Sequence, residues 1–225
     1  VKDEVRVETA ITHYTFPPGG PFGDTEKTFD IRSYAVVRDR QAVLVDALLP
    51  DHEDLIAAAL HRGGLDFAAV RAVVVTHAHP DHIGSLAAVM RAAPEARLYA
   101  GSGDAEVVAE ECGVDVSVLN DGDDVWGLEV IATPGHTIGH VCFLEHTTST
   151  LFVGDAAVNM TSLEPSIEPF DEDHSRAVAQ LVRLAGTGAQ RALFAHGAPI
   201  PSGAGVAFRD LAGRLGLATG DMAAI

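Results

Sequence analysis

The segment His77-Ala78-His79-Pro80-Asp81-His82 constrains this chain more than any other stretch. It places three imidazoles and a carboxylate in six residues, directly after the apolar run Val70–Val75. Imidazole is the commonest metal ligand in proteins, and a carboxylate is a hard oxygen donor. A buried strand ending at Val75 delivers those donors into a small volume. His77 and His79 are two apart, so an extended backbone projects both to the same side. Asp81 and His82 follow once the chain has turned and can address a second position. One segment is thus able to supply two adjacent metal positions. A polar loop opening a helix, with Asp81 as its cap, explains one Asp and leaves three histidines unexplained. The metal reading is therefore preferred.

The rest of the chain sets limits around that segment. A length of 225 residues suits one domain with a sizeable core, and a single domain over 1–225 is expected. No run of about eighteen apolar residues occurs, so no membrane span is expected. No signal-peptide pattern is visible, and a cytoplasmic location is expected, with a leader removed before Val1 left open. The formal net charge is −17, from 32 acidic against 15 basic residues, and Lys2 and Lys27 are the only lysines. Such a surface repels polyphosphate, which excludes nucleic acid as the main partner and points to a small-molecule substrate. The acidity reads as solubility, and bound divalent cations would offset part of it. Cys112 and Cys142 form no CxxC and read as small packing residues; whether they lie close enough for a disulfide is left open. Oligomeric state is not written in the sequence.

Coarse periodicity gives an alternation of strands and helices. Val5–Phe16 and Phe29–Val37 read as strands around the turn-rich segment Pro17–Asp24. Ala42–Leu48 is a short apolar strand ending near Asp46. Asp51–Arg62 has helical spacing, with Leu55, Ile56, Ala59 and Leu60 on one face, and Gly63-Gly64 stops it. Val70–Val75 is β-branched and reads as a buried strand. A helix is expected over Ile83–Arg91, a strand over Arg97–Ala100 and a helix over Asp104–Cys112. Val116–Leu119 and Leu128–Ala132 read as strands joined through Asn120–Asp124, and Val141–Glu145 with Thr150–Val153 as a hairpin. An amphipathic helix over Asp173–Leu184, a strand over Ala192–Ala195 and a helix over Gly205–Leu215 complete the chain. The order points to an α/β fold with two sheets and outer helices.

Three further polar residues stand just past apolar strands, each beside glycine: His136 in Thr133-Pro134-Gly135-His136-Thr137, Asp155 in Val153-Gly154-Asp155-Ala156, and His196 in Phe194-Ala195-His196-Gly197. The glycines permit close approach of backbone and ligand. Singly, each is explained as a turn Asp or a satisfied loop His. Jointly they repeat the placement of the first cluster. His140 reads either as a residue behind the ligands or as a packed strand-end histidine, and Asp46 as a carboxylate able to orient a ligand imidazole. His13, His52, His61, His146 and His174 match no motif and read as surface or loop residues.

These motifs resemble those of the metallo-β-lactamase-fold hydrolases, and the resemblance covers most of the chain. Residues 76–82, THAHPDH, fit the HxHxDH signature; residues 133–140, TPGHTIGH, fit the second His motif; Gly154–Ala156 fits the bridging-Asp motif and Ala195–Gly197 the last His. Asp46 fits the Asp that ends an early strand. The resemblance implies an αββα four-layer sandwich with its site at one sheet edge. It implies that His77, His79 and His136 bind one metal ion, that Asp81, His82 and His196 bind a second, and that Asp155 bridges them. Zinc is the default for such open N/O sites, with iron or manganese as the other candidates. The implied chemistry is hydrolysis, a hydroxide shared by the two ions attacking a carbonyl carbon, with Asp81 and Asp155 as catalytic carboxylates.

Within the superfamily the chain looks most like the compact glyoxalase II-like and lactonase-like branch, which implies a small ester, thioester or lactone as substrate. Several departures narrow this. Only 29 residues follow His196, with Arg209 and Arg214 their only basic ones, where glyoxalase II enzymes usually carry a helical domain that binds glutathione. The Tyr that acyl-lactonases often place shortly after the bridging Asp is missing from Ala156–Met160. No lysine lies near the motifs to meet the carboxylate of a penicillin. The alternative reading is a persulfide dioxygenase of the same fold using a single non-haem iron, although the Arg-rich stretch usual there is absent. Phe16–Asp24 falls where the family has a flap, placing Phe16 and Phe22 as candidates to touch an apolar acyl group. Met160–Phe170 is a second candidate lid.

Overall fold

A computed structural model describes residues 4–217, and every structural statement here concerns those residues. The layering follows from alternation in the central strands. In β3 (Gln41–Val45), Ala42 and Leu44 face one way and Val43 and Val45 the other; in β4 (Val70–Val75), Val73 and Val75 oppose Ala72 and Val74. Both faces are apolar, so both must be covered.

These two strands sit at the middle of a six-stranded sheet. Its order is β1 (Arg6–Phe16), β2 (Lys27–Arg38), β3, β4, β5 (Arg97–Gly101) and β6 (Val116–Leu119). Strands β1 to β3 are antiparallel neighbours, and β3 to β6 run parallel. On one face lie α1 (Glu53–Arg62), α2 (Pro80–Ile83), α3 (Leu86–Ala92) and α4 (Ala105–Cys112). Leu44, Leu48, Ile56, Leu60, Val73, Val75, Leu86 and Leu98 form the apolar layer beneath them.

The chain then crosses to a second sheet. This contains β7 (Asp124–Val125), β8 (Leu128–Ala132), β9 (Val141–Glu145), β10 (Thr150–Phe152) and β13 (Arg191–Leu193), in spatial order β13-β10-β9-β8-β7. A small hairpin of β11 (Ala157–Asn159) and β12 (Leu163–Pro165) stands apart. Tyr34, Val36, Val43, Val45 and Val74 of the first sheet pack on Val130, Val141, Phe143 and Phe152 of the second. The outer face of the second sheet is covered by α5 (His174–Ala179), α6 (Leu181–Gly186) and α7 (Ala204–Arg214), through Leu181, Leu184, Phe194, Phe208 and Leu211. Three apolar layers between four layers of secondary structure make the αββα sandwich expected from the sequence.

Several elements differ from the sequence reading. Leu55 stands 36% exposed, and only Ile56, Ala59 and Leu60 of α1 are buried. The helix expected over Ile83–Arg91 is broken. The Gly84 and Ser85 N–H groups donate to the Leu48 and Ala47 carbonyls of the loop after β3, so they do not continue a helical ladder. Gly84 lies so close to that loop that a Cβ there would fall 2.4 Å from Pro50. The helix expected over Asp173–Leu184 divides at Gln180, where hydrogen bonds tighten to three-residue spacing, Gln180 N–H to Ala177 and Arg183 N–H to Gln180. Strands β6 and β8 lie in different sheets, and β7, β11 and β12 carried no signal long enough to read. Cys112 and Cys142 are free thiols, not a disulfide; burial pushes the Cys142 thiol up to about 12. No helix among the described residues is long and apolar enough to cross a membrane.

Candidate metal centre

The strands leave their polar followers along one edge of the sandwich. Because β3 and β4 are parallel, Asp46 and the segment Thr76–His82 emerge side by side. Strands β8, β10 and β13 share a direction in the second sheet and deliver the Thr133–His140 loop, Asp155 and His196 to the same edge. Two bonds stitch the sheets together there: Val141 N–H donates to the Thr76 carbonyl (2.9 Å), and Arg32 N–H to that of Ala195 (3.0 Å).

Four of the five ligand-candidate histidines at this edge are held from outside by Nδ1. His77 Nδ1 lies 3.1 Å from Thr76 Oγ1, and His82 Nδ1 donates to Asp46 Oδ2 at 2.9 Å. His136 Nδ1 donates to Asp171 Oδ1 at 2.7 Å, and His196 Nδ1 to the Asp30 carbonyl at 2.8 Å. In each ring the outer nitrogen therefore carries a proton, and in the neutral ring Nε2 presents a lone pair inward. His79 is turned the other way: its Nδ1 lies 3.0 Å from both His77 Nε2 and His136 Nε2. A proton can satisfy one pair of these three nitrogens; a cation satisfies all three.

A second convergence lies beside the first. Asp81, His82 and His196 bring one donor each within 4.8 Å of one another, as do His77, His79 and His136. Asp155 faces both groups, with Oδ2 at 3.4 Å from His136 Nε2 and 3.2 Å from His196 Nε2, and Oδ1 at 3.5 Å from His82 Nε2. His82 Nε2 and Asp155 Oδ1 are buried and find no hydrogen-bond partner among the described residues. Orphaned buried polar atoms are costly, and two aimed at one point mark a missing partner. Donor type, orientation and orphaned atoms all fit divalent cations.

The two groups differ in charge. Burial, followed by the neighbouring imidazoles, holds His77 well below the ordinary histidine range and lowers His79 in the same way. The second group is rich in carboxylates. Burial alone would lower His82, but Asp81, Asp155 and Asp46 outweigh it and raise the ring to about 9. For His196, burial is overcome by Asp155 and Asp81, which hold it well above its ordinary value. Burial would raise Asp155, but His196, His82 and His136 keep it well below the usual carboxylate range. Without a cation, protons on His82 and His196 take the place that a cation would fill.

A cavity of about 370 Å³ opens onto this cluster. His79, Asp81, Asp155 and His196 form its floor, and Tyr14, Phe16, Phe29, Ile31, Ile167 and Phe170 its walls. No lysine or arginine is among the described residues that line it. Phe16 is a wall residue, as expected of the flap. Phe22 stands behind, its ring 5.1 to 5.8 Å from Phe29, Phe16 and Phe170. Of the second candidate lid, Ile167 and Phe170 reach the cavity.

All seven residues singled out as ligands meet at this edge, with Asp46 behind His82. His140 is buried and accepts the Asp155 N–H on Nε2 (3.0 Å) while its Nδ1 meets Thr133 Oγ1 (2.8 Å), so it fixes the Asp155 backbone. His174 is not a bystander, because its Nδ1 donates to Asp171 Oδ2 at 2.6 Å. Asp171, Asp104 and Asp30 went unremarked in the sequence. Asp104 accepts from Ala78 N–H, Thr137 Oγ1 and Gly139 N–H at 2.9, 2.7 and 2.8 Å, tying the two histidine loops together. Asp30 pairs with Arg32 and accepts the Gly197 N–H, fixing the loop of His196. None of the three belongs to a local motif.

Comparison with known proteins places this arrangement among relatives. The sequence model of the metallo-beta-lactamase superfamily matches residues 28–196. An uncharacterized protein of Bacillus subtilis, YobT, is 28% identical over 148 residues, 57% of this chain and 62% of that protein. A hydroxyacylglutathione hydrolase of Aeromonas salmonicida is 39% identical over 88 residues, 37% of this chain and 32% of the enzyme. The chain thus spans under two thirds of the length of these relatives. Among solved structures, a metallo-beta-lactamase family protein of Thermus thermophilus superposes with a TM-score of 0.65 at 23% identity, covering 92% of this chain and 80% of that one. AidC, a dizinc quorum-quenching lactonase, gives a TM-score of 0.64 at 16% identity over 87% of each chain. Both likenesses are of fold.

Proposed function

The chain belongs to the metallo-beta-lactamase superfamily, and on that premise we propose that it acts as one domain, a hydrolase holding two divalent metal ions, most simply zinc, that cleaves a small ester, thioester or lactone. The observation that carries this is the pair of converging donor groups, with their orphaned inner atoms, on the floor of an apolar cavity. His77, His79 and His136 hold the first ion, Asp81, His82 and His196 the second, and Asp155 faces both. The ions supply Lewis acidity and water ionised near neutral pH.

The protein's own residues do the rest. Asp155 and Asp81 are the catalytic carboxylates: both line the cavity floor, and their oxygens accept hydrogen bonds from the attacking water and so orient it toward the scissile carbonyl. Asp81 is the more open of the two, its side chain 27% exposed, and is the group placed to take the proton that the attacking water gives up and pass it to the leaving oxygen or sulfur. The outer partners Thr76, Asp46, Asp171 and Asp30 keep each imidazole proton on the far side of its ring. Phe16, Phe29, Ile31, Ile167 and Phe170 exclude water and take up an apolar acyl group. With no basic side chain among the described residues of the wall, the substrate part inside the cavity is uncharged, which disfavours glutathione thioesters and penicillins.

The test is hydrolysis of p-nitrophenyl acetate and hexanoate, a hexanoyl lactone and a glutathione thioester, before and after chelation. The expected result is cleavage of the uncharged acyl compounds, at least tenfold loss after chelation, and recovery with zinc. Full activity in thoroughly chelated protein would overturn the proposal.

A further inference from the structure

Asp171 carries a buried carboxylate that no motif marks and whose three donors come from three directions. Its side chain is 0% exposed. Oδ1 accepts from His136 Nδ1 at 2.7 Å, and Oδ2 accepts from Ser166 Oγ at 2.7 Å and from His174 Nδ1 at 2.6 Å. Burial would raise this carboxyl, but the three hydrogen bonds outweigh it and hold it below the usual range. It is an ionised anchor with its acceptor capacity well used.

The backbone around it joins two parts of the site. Just before it, Ser166 to Asp171 form a tight loop, with Phe170 N–H donating to Ile167 and Asp171 N–H to Glu168. Ile167 and Phe170, inside that loop, are cavity wall. The Ser166–Asp171 bond closes the loop at its base, so those two side chains have a fixed address. Just after it, Glu172 N–H donates to the His136 carbonyl (3.0 Å) and Asp173 N–H to that of Gly135 (2.9 Å). The wall and the histidine are thus bolted to one another by backbone on one side and by a single carboxylate on the other.

We propose that Asp171 is a positioning residue for both halves of the site: it holds His136 with Nε2 bare toward the first donor group, and it fixes the apolar wall at Ile167 and Phe170 relative to that group. The inference rests on the reading of His136 as a ligand. Asp171→Asn is the informative variant, because the amide keeps the shape and replaces one oxygen by a donor. That donor faces either His136 Nδ1, which must then lose its proton and carry it on Nε2, or Ser166 and His174, which frees the base of the loop. Ser166→Ala unties the loop alone and leaves the bond to His136.

The experiment uses the full chain, stripped of metal, with two readouts. In the imidazole spectrum of the metal-free wild type, His136 is expected with its proton on Nδ1, and in Asp171→Asn with a population on Nε2. In a zinc titration, Asp171→Asn is expected to weaken one of two bound ions by at least about tenfold and leave the other within about threefold. Ser166→Ala is expected to keep both affinities, while the KM for p-nitrophenyl hexanoate rises at least threefold relative to the acetate ester. Asp171→Asn with an unchanged His136 spectrum and unchanged zinc affinities would overturn the inference, as would a metal-free wild type with the His136 proton on Nε2. A wild type that takes up no zinc overturns the reading of the site instead, and the His136 spectrum still decides the role of Asp171. Should Asp171→Asn fail to fold, the wild-type spectrum and a Ser166→Ala without selectivity between the two esters remain able to refute it.

Discussion

Replacing Asp46 by Asn probes the centre without disturbing its shape. Asp46 is buried at the end of β3, with Oδ1 accepting from Thr76 N–H (2.7 Å) and Oδ2 from Thr76 Oγ1 (2.8 Å) and His82 Nδ1 (2.9 Å). Its φ of +62° lies in the left-handed region, which Asn tolerates as well as Asp, so the backbone is no confounder. The new amide nitrogen has two places to go. Opposite Thr76 N–H it sets donor against donor in a buried position, at about 1–3 kcal/mol of stability. Opposite His82 Nδ1 it forces the imidazole proton onto Nε2, the atom aimed at the second donor group. A backbone N–H cannot shed its proton whereas an imidazole can, so the second arrangement wins. The metal-free fold should then lose the part of its stability that the charged His82 draws from Asp46, a part present below about pH 6.5 and gone above about pH 9, while affinity for the second ion falls about 10- to 100-fold, or ~1.4–2.7 kcal/mol. Zinc titration against a chromophoric chelator, with urea unfolding of the metal-free variant, reads both quantities. Asp46→Ala is the contrast, since it adds left-handed strain and loses stability as well. Wild-type affinity for both ions in Asp46→Asn would refute the claim that this carboxylate sets the His82 tautomer.

The remaining expectations concern protons and packing. His77 and His79 are held below their unfolded value near 6.5, so the stability tied to their neutral state is present above that pH and lost as pH falls. His82 and His196 are raised, so the stability tied to their charge is present below about 6.5 and lost as pH rises, for His82 through about 9. Metal-free protein should therefore be most stable near pH 6.5, with urea midpoints falling on both sides; a midpoint still climbing from pH 7 to 9 would contradict the assignment. Gly154 has φ +55°, and a Cβ there would lie 2.8 Å from both His140 Nε2 and Thr76 Cβ. Gly154→Ala should cost about 2–4 kcal/mol in urea unfolding, from overpacking and left-handed strain together; a loss under about 0.5 kcal/mol would show that His140 and Thr76 yield freely.

What the sequence disclosed was what is local. Val70–Val75 followed by three histidines could be read because strand, turn and donors are contiguous, and Gly154 and Gly197 advertise close approach at Asp155 and His196. The apolar run Val70–Val75 could be read as a buried strand, and the order of elements pointed to two sheets with outer helices; the four-layer sandwich was what the family resemblance implied. Asp171, Asp104 and Asp30 remained silent because the histidine-loop groups they hold lie 35, at least 26 and at least 166 residues away, and an isolated Asp in a loop looks like any turn residue. His174 is a partly exposed residue, as read, and its bond to Asp171 went unseen because nothing marked Asp171. The break at Gly84 has a tertiary cause: a loop from β3 takes the N–H groups of Gly84 and Ser85, a competition no helical periodicity records. Leu55 met the helical spacing but fell at the edge of the buried stripe of α1, where a residue or so of phase decides exposure.

The central claim is that two donor groups hold two ions at one sheet edge, and metal content tests it most directly. Protein purified without added metal would be analysed for zinc, iron and manganese per chain, alongside His79→Ala. The account expects about two ions per wild-type chain, most simply zinc, and about one in His79→Ala, whose loss empties the first group and spares the second. One iron per wild-type chain with no hydrolytic activity would contradict it, moving the chemistry to oxygen-dependent sulfur oxidation and leaving Asp81, His82 and His196 without the role given to them here.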